Sequence, residues 1–168
     1  AIQTLLDPEN CGPVTLSLPQ DVQAEAFDYP EDFFVKRTHS IRKIKIDDAE
    51  LARAVETLKN SKKPLIIVGG GVHYADACIA LQEFAKKYQI PVAETSAGKG
   101  ALAWNHPTYI GAIGVTGSNA ANNMAKQADI VLAIGTRLND FTSGSRALFS
   151  DKTILQLNVA RFDAIKHN

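Results

Sequence analysis

Three consecutive glycines stand where a predicted strand ends and a helix begins, a position at which backbone amides can hold a phosphate. The run Gly69, Gly70 and Gly71 follows a continuous apolar segment, and free amides at a helix N-terminus bind anions. The spacing departs from the dinucleotide fingerprint G-x-G-x-x-G, because Tyr74 occupies the third glycine position. Gly70 and Gly71 are candidates for phosphate contact; the alternative is a tight turn that packs the helix on the sheet. Glu94, at the end of the next strand, is either a ribose-binding acid or a solvated loop residue.

Three further glycine-bearing loops also follow predicted strands, and two of them carry a basic side chain. They comprise residues 98–100, 114–117 and 135–137, with Lys99 in the first loop and Arg137 in the last. In an open parallel sheet such loops converge on one crevice, where a cation can neutralise a phosphate or a carboxylate. The alternative for each basic residue is simple solvation.

The remaining reactive residue types form no self-contained catalytic or metal-binding set. Cys11 and Cys78 are far apart and form no C-x-x-C pair, and no G-x-S-x-G motif surrounds a serine. The histidines are scattered without ligand spacing, at positions 39, 73, 106 and 167. We therefore expect no catalytic residue and no metal ligand within this chain.

The elements that must position these loops alternate between strand and helix patterns. Apolar strand patterns occupy residues 14–18, 64–68, 91–95, 129–135 and 153–159, with a short glycine-rich stretch at 109–114. Helical periodicity follows Asp47 and Asp48 and recurs over residues 77–88. A further helix is predicted from a Ser118 cap to about residue 127. This order predicts the α/β class: a Rossmann-like, doubly wound parallel sheet of about six strands with helices on both faces.

The N-terminal part of the chain is predicted to lie outside that sheet. Residues 1–6 resemble the end of a helix, and the strand pattern at 14–18 has no neighbouring partner strand. Residues 19–45 show no sustained period, which favours an interdomain linker. We expect residues 1–18 to be the remnant of a preceding domain, 19–45 the linker, and 46–168 a central domain.

Composition narrows the class of partner. The chain has 168 residues, 45% of them hydrophobic, with 18 basic and 18 acidic side chains and zero net charge, which favours neither nucleic acid nor a membrane. Two isolated cysteines are typical of a reduced, cytoplasmic protein. Because the first residue is Ala1 rather than methionine, we expect a fragment of a longer protein.

Three stretches resemble a known family of thiamine-diphosphate-dependent enzymes of the acetolactate synthase type. They read G-P-V-T-L-S-L-P-Q-D-V-Q at 12–23, K-P-L-I-I-V-G-G-G at 63–71 and A-D-I-V-L-A-I-G-T-R-L-N-D at 128–140. The resemblance implies a central domain whose partners are the pyrimidine- and diphosphate-binding domains of the same chain, in a homo-oligomer. It also implies thiamine diphosphate and magnesium in the full-length protein, bound by those other domains, with no cofactor in this fragment.

Other stretches resemble the branch of that family that opens a cyclic diketone by hydrolysis in inositol breakdown. These are residues 21–30, 95–100 and 114–122. The resemblance implies a scaffolding role without activity of its own, and if any residues touch substrate or nucleotide, the candidates are Lys99, Thr116, Arg137 and Asn139. The alternative is a central domain that binds FAD, NAD or ADP in a related decarboxylase or synthase. Flavin-carrying relatives read G-M-H-G where this chain has G-V-T-G at 114–117, and Phe141 replaces their arginine, which disfavours flavin.

Overall fold

The computed structural model describes residues 1–167, and the chain divides into two compact units, Ala1–Lys45 and Ile46–Asn168. The α-helices are α1 (Ile2–Leu5), α2 (Gln20–Gln23), α3 (Asp48–Lys59), α4 (Gly71–Tyr74), α5 (Cys78–Tyr88), α6 (Asn119–Gln127), α7 (Asp140–Ser143) and α8 (Arg161–Ile165). The strands are β1 (Pro64–Val68), β2 (Val92–Glu94), β3 (Tyr109–Ala112), β4 (Ile130–Ile134) and β5 (Thr153–Leu157). Short 3₁₀ turns span Glu31–Phe34 and Ser96–Gly98.

The first unit contains helical turns and irregular backbone, and the predicted strand at residues 14–18 is wrong. That segment is irregular, and Leu16 and Leu18 are both 71% exposed. A strand needs a neighbour to pair its backbone amides and carbonyls, and throughout residues 1–45 there is no other strand to provide one. The alternating pattern alone therefore does not form a strand here.

Four aromatic side chains of the first unit contact one another instead of entering a core. Tyr29 lies at the centre, with its ring centroid 5.2 Å from that of Phe27 and 5.1 Å from that of Phe33. Phe34 completes the cluster, and all four rings remain more than half exposed. The unit therefore presents contiguous aromatic surface to solvent.

The second unit is built on a five-stranded sheet whose paired strands are all parallel, in the order β3-β2-β1-β4-β5. This confirms the predicted doubly wound α/β fold. The strand count is five rather than the predicted six or so. The strand order reverses between β1 and β4, so the loops at the carboxyl ends of these two strands flank the switch point where such sheets bind ligands.

The two faces of the sheet carry separate apolar clusters. Leu65 and Ile67 of β1 pack on one face with Ala121 and Ala125 of α6. On the other face, Ile66 and Val68 of β1 pack against a cluster that includes Leu81 and Ala85 of α5. Because successive strand residues point to opposite faces, the continuous apolar run in β1 requires cover on both sides, and the helices provide it.

The predicted helix starts are confirmed by side-chain caps. The Asp47 carboxylate accepts hydrogen bonds from the amides of Ala49 and Glu50, both at 3.0 Å, at the start of α3. The Ser118 hydroxyl accepts from the amide of Ala121 at 3.1 Å and caps α6. Both caps satisfy amides that the first helical turn leaves unpaired.

Helix α3 lies over an apolar groove of about 600 Å³ rather than packing tightly on the sheet. None of its residues is fully buried, and Leu51 on its apolar face is 43% exposed. The groove is lined mainly by apolar side chains from several elements, among them Leu51, Leu58, Phe84, Leu132 and Leu155. This helix is therefore the least buried of the three long ones in the second unit.

Candidate functional site

The glycine run and the loop after β4 meet at the switch point through direct backbone contact. The amide of Gly71 donates to the carbonyl of Gly135 over 2.9 Å. A Cβ atom on Gly71 would lie 2.7 Å from the Cα of Gly135, and one on Gly69 would overlap the Gly135 carbonyl and Thr136. These contacts favour the tight-turn alternative for Gly71, since its amide is already paired and its backbone lies against that of Gly135.

Gly70 packs against the loop that follows β2. A Cβ on Gly70 would lie 3.2 Å from the carbonyl oxygen of Ala97, and one on Gly98 would overlap the carbonyl of Val68. Three loops at the carboxyl ends of β1, β2 and β4 are thus held together by close backbone packing. The assignment of Gly70 and Gly71 to phosphate contact stays a prediction.

The fourth loop, residues 114–117, joins the start of α7. The amide of Val115 donates to the carbonyl of Phe141 at 2.8 Å. The side chain of Asn122 forms two hydrogen bonds with the backbone of Gly114. Its oxygen accepts from the Gly114 amide at 3.0 Å, and its nitrogen donates to the Gly114 carbonyl at 2.9 Å. Asn122 was missed by sequence reasoning; its only signal is an amide side chain on the first turn after the Ser118 cap.

The four glycine-bearing loops, residues 69–71, 98–100, 114–117 and 135–137, form a glycine-lined rim at the carboxyl ends of the strands. Lys99 and Thr116 project from this rim into solvent. Both residues are exposed, and within residues 1–167 neither side chain forms a hydrogen bond or an ion pair. They remain available to contact a neighbouring surface or a ligand. Their predicted role in substrate or nucleotide contact stays a prediction.

Arg137 and Asn139 already have structural partners. The guanidinium of Arg137, 75% exposed, lies 3.5 Å from the carboxylate of Asp163, which also pairs with Lys166 at 2.7 Å. Asn139 caps α7, since its side-chain oxygen accepts from the amide of Thr142 at 3.0 Å. An exposed ion pair of this kind is weak, so Arg137 can exchange partners more readily than Asn139.

Glu94 is a buried anchor, so the solvated-loop alternative is wrong. Its side chain is 2% exposed and accepts a hydrogen bond from the amide of Leu102 at 2.9 Å. Tyr109 lies beside this carboxylate, and the pKa of its hydroxyl is raised by burial and by the adjacent Glu94 charge. With these partners, the carboxylate stabilises the loop after β2 and is poorly placed to receive a ribose.

Residue types that ligate metals are dispersed in the described part of the chain. Among residues 1–167, no group of three or more His, Cys, Asp or Glu side chains lies close enough to hold a metal ion. In the same part of the chain no helix is both long and apolar enough to cross a bilayer.

The fold and the rim define a doubly wound α/β domain whose loops are packed by backbone contacts. The family described as "Thiamine pyrophosphate enzyme, central domain" matches residues 51–168, and the chain belongs to that family. The resemblance inferred from the three sequence stretches is thereby confirmed.

Close relatives share one name, 3D-(3,5/4)-trihydroxycyclohexane-1,2-dione hydrolase. The protein from Geobacillus thermodenitrificans is 49% identical over 166 residues, and that from Clostridium tetani is 48% identical over 168 residues. A third, from Bacillus thuringiensis, is 49% identical over 168 residues. The matches cover 99% of this chain and 26% of each relative, so the chain spans about a quarter of their length.

Proposed function

We propose that this chain is the central domain of a thiamine-diphosphate-dependent hydrolase that opens the ring of trihydroxycyclohexane-1,2-dione in inositol breakdown. The observation that carries the proposal is the identity of 48–49% to relatives bearing that name, extending over 99% of the chain. Identity at this level includes residues 1–45, outside the range matched by the family. The proposal therefore concerns the hydrolase branch as well as the general family.

Within that enzyme we assign the chain a scaffolding role without activity of its own. Close backbone packing joins the loops at the switch point, and Arg137 and Asn139 contact neighbouring residues of the same chain. Thiamine diphosphate and magnesium belong to the pyrimidine- and diphosphate-binding domains, outside this chain. The rim residues Lys99 and Thr116 are the proposed contacts with those domains or with the substrate passage.

A nucleotide-binding central domain is not favoured. A dinucleotide at the switch point requires free amides and open space beside the first loop. Gly71 instead donates its amide to Gly135, and their backbones are in direct contact. The purified chain should accordingly be colourless and should not retain FAD, NAD or ADP.

The proposal of a homo-oligomer rests on exposed apolar surface, and the proposal of a cytoplasmic location rests on free cysteines. The exposed aromatic cluster of residues 27–34 and the apolar groove beneath α3 offer surface that neighbouring domains or subunits would cover. Cys11 and Cys78 are unpaired, which suits a reducing compartment.

A segment exchange tests the function directly. This chain replaces the matching quarter of the Geobacillus thermodenitrificans hydrolase, and ring opening is assayed with added thiamine diphosphate and magnesium. We expect the chimera to retain hydrolase activity and the isolated chain to have none. A folded chimera that binds the cofactor but does not open the ring would count against the hydrolase assignment.

Calorimetry tests the scaffolding role separately. Thiamine diphosphate with magnesium chloride is titrated into the isolated chain and, as a positive control, into the full-length relative. We expect heat of binding only for the full-length protein. Saturable binding to the isolated chain would contradict the scaffolding assignment while leaving the family membership intact.

A further inference from the structure

A second, polar cavity lies between β5 and the segments on either side of α7. It has a volume of about 70 Å³, room for about two water molecules or one small ion. Apolar side chains from the loops around α7 and from β5 form part of its wall: Leu138, Phe149 and Ile154. The polar side chains that line it are Ser143, Arg146, Ser150, Lys152 and His167.

The charges around this cavity are positive. Arg146 and Lys152 line it, and no acidic residue does. Lys152 is 11% exposed, and its partner Asp151 is 75% exposed and lies outside the lining. Throughout residues 1–167 the guanidinium of Arg146 has no carboxylate partner. A cation is therefore disfavoured as occupant, and an anion would supply the missing countercharge.

One polar atom in the wall lacks a partner. Nε2 of His167 is buried and forms no hydrogen bond within the described residues. A buried polar atom without a partner is unfavourable, and it can donate to an occupant when the ring carries its proton on that nitrogen. Among the described residues, the cavity wall thus contains one buried nitrogen without a hydrogen-bond partner, Nε2 of His167, and one guanidinium without a countercharge, that of Arg146.

The backbone beside the cavity adopts an unusual conformation that places Arg146 in the wall. Gly144, Ser145 and Arg146 have consecutive left-handed φ angles of 57°, 52° and 72°. Non-glycine residues rarely adopt this region in succession, and such strain concentrates where a side chain must be aimed. The turn is held by the amide of Arg146, which donates to the hydroxyl of Ser143 at 3.0 Å.

We propose that this cavity binds a small oxyanion of the phosphate class. Arg146 and Lys152 donate charge-assisted hydrogen bonds to its oxygens, while the Ser150 hydroxyl and Nε2 of His167 complete the set of donors. The occupant is inorganic phosphate or the phosphate group of a monoester, since both present the same tetrahedral oxygens. The site is independent of the proposed hydrolase function, and Leu138 in its wall directly follows the loop of residues 135–137.

The test is an NMR titration of the 168-residue chain with sodium phosphate, at constant ionic strength maintained with sodium chloride. We expect saturable shifts of the amides of residues 145–152, with a dissociation constant of about 1 mM. Parallel titrations with methyl phosphate and with sodium acetate show whether the cavity accepts a phosphate monoester or a carboxylate as well as inorganic phosphate. A monoester that binds as well as inorganic phosphate identifies an ester group as occupant, and weaker monoester binding identifies the free ion.

Two variants and a control make the result specific. Arg146→Gln and Lys152→Gln should each weaken phosphate binding about tenfold, because each removes a charge-assisted hydrogen bond. The exposed Lys126 on α6 provides the control, and Lys126→Gln should bind as the parent chain does. Arg146 is exposed, so its replacement tests the site even where loss of the more buried Lys152 disturbs folding. Amide chemical shifts that grow linearly with phosphate concentration, without saturation, would overturn the proposal. So would an Arg146→Gln variant that binds phosphate with unchanged affinity.

Discussion

Gly71 and Gly135 touch backbone to backbone, with the Gly71 amide bonded to the Gly135 carbonyl at 2.9 Å. The contact joins the carboxyl ends of β1 and β4 where the strand order of the sheet reverses. This close contact is sufficient reason for a glycine at position 71, and no bound phosphate is needed to explain it.

Replacing Gly71 should therefore destabilise the domain. In Gly71→Ala the added methyl group would lie 2.7 Å from the Cα of Gly135, so the two loops must separate. We expect a loss of about 1–3 kcal/mol in the free energy of unfolding, measured by urea denaturation. Gly12→Ala is the control, because the nearest atom to its added Cβ is 4.0 Å away. Equal stability of the two variants would show that the loops separate freely.

Glu94→Ala should be more harmful than Glu94→Gln. Alanine leaves the buried amide of Leu102 without an acceptor, which costs about 1–3 kcal/mol. Glutamine keeps one oxygen and should retain part of that stability. Denaturation curves of both variants, with exposed Glu83→Ala as the control, provide the measurement. An alanine variant as stable as the parent would refute the anchoring role.

Asn122→Ala should loosen the loop of residues 114–117. Two hydrogen bonds to Gly114 disappear, so the amide of Gly114 should exchange with solvent about tenfold faster or more. Hydrogen exchange followed by NMR measures this at the single residue. The adjacent exposed residue gives a matched control, and Asn123→Ala should leave the exchange rate unchanged.

Acid should weaken the link between α3 and β4 through Asp129. The Ser61 hydroxyl and the Lys62 amide donate to this carboxylate and hold its pKa at about 2, below the ordinary 3.8. Because the folded pKa is the lower one, the stabilisation is fully present above the unfolded value and is lost as the pH falls through about 2.

Thermal unfolding from about pH 6 down to about pH 2 checks this dependence. The difference in Tm between the parent chain and Asp129→Asn should be largest near neutrality and should shrink over the acidic range. Asp28→Asn, at an exposed position of the first unit, controls for general charge effects. A constant difference at every pH would rule out the carboxylate as its source.

The local elements of the second unit were predictable because their causes lie within short segments. A continuous apolar run predicted β1, and an oxygen-bearing side chain before an apolar period predicted the starts of α3 and α6. The resemblance to a known family then supplied the central-domain assignment, which the family match confirms.

Features that depend on distant residues could not be read from the sequence. The alternating pattern at 14–18 is a valid strand pattern, but pairing requires a neighbour that local sequence does not reveal. Glu94 becomes buried only because the loop leading to Leu102 folds over it. Likewise, the partner of Arg137 is Asp163, and the glycines of the first loop meet a glycine after β4.

The space beneath α3 gives the domain a distinct mechanical property. Local opening costs least where few buried contacts are lost, and no residue of α3 is fully buried. The groove of about 600 Å³ beneath this helix is open to solvent, so α3 should detach before the tightly packed strands separate. The domain is thus soft under one helix and stiff at its sheet.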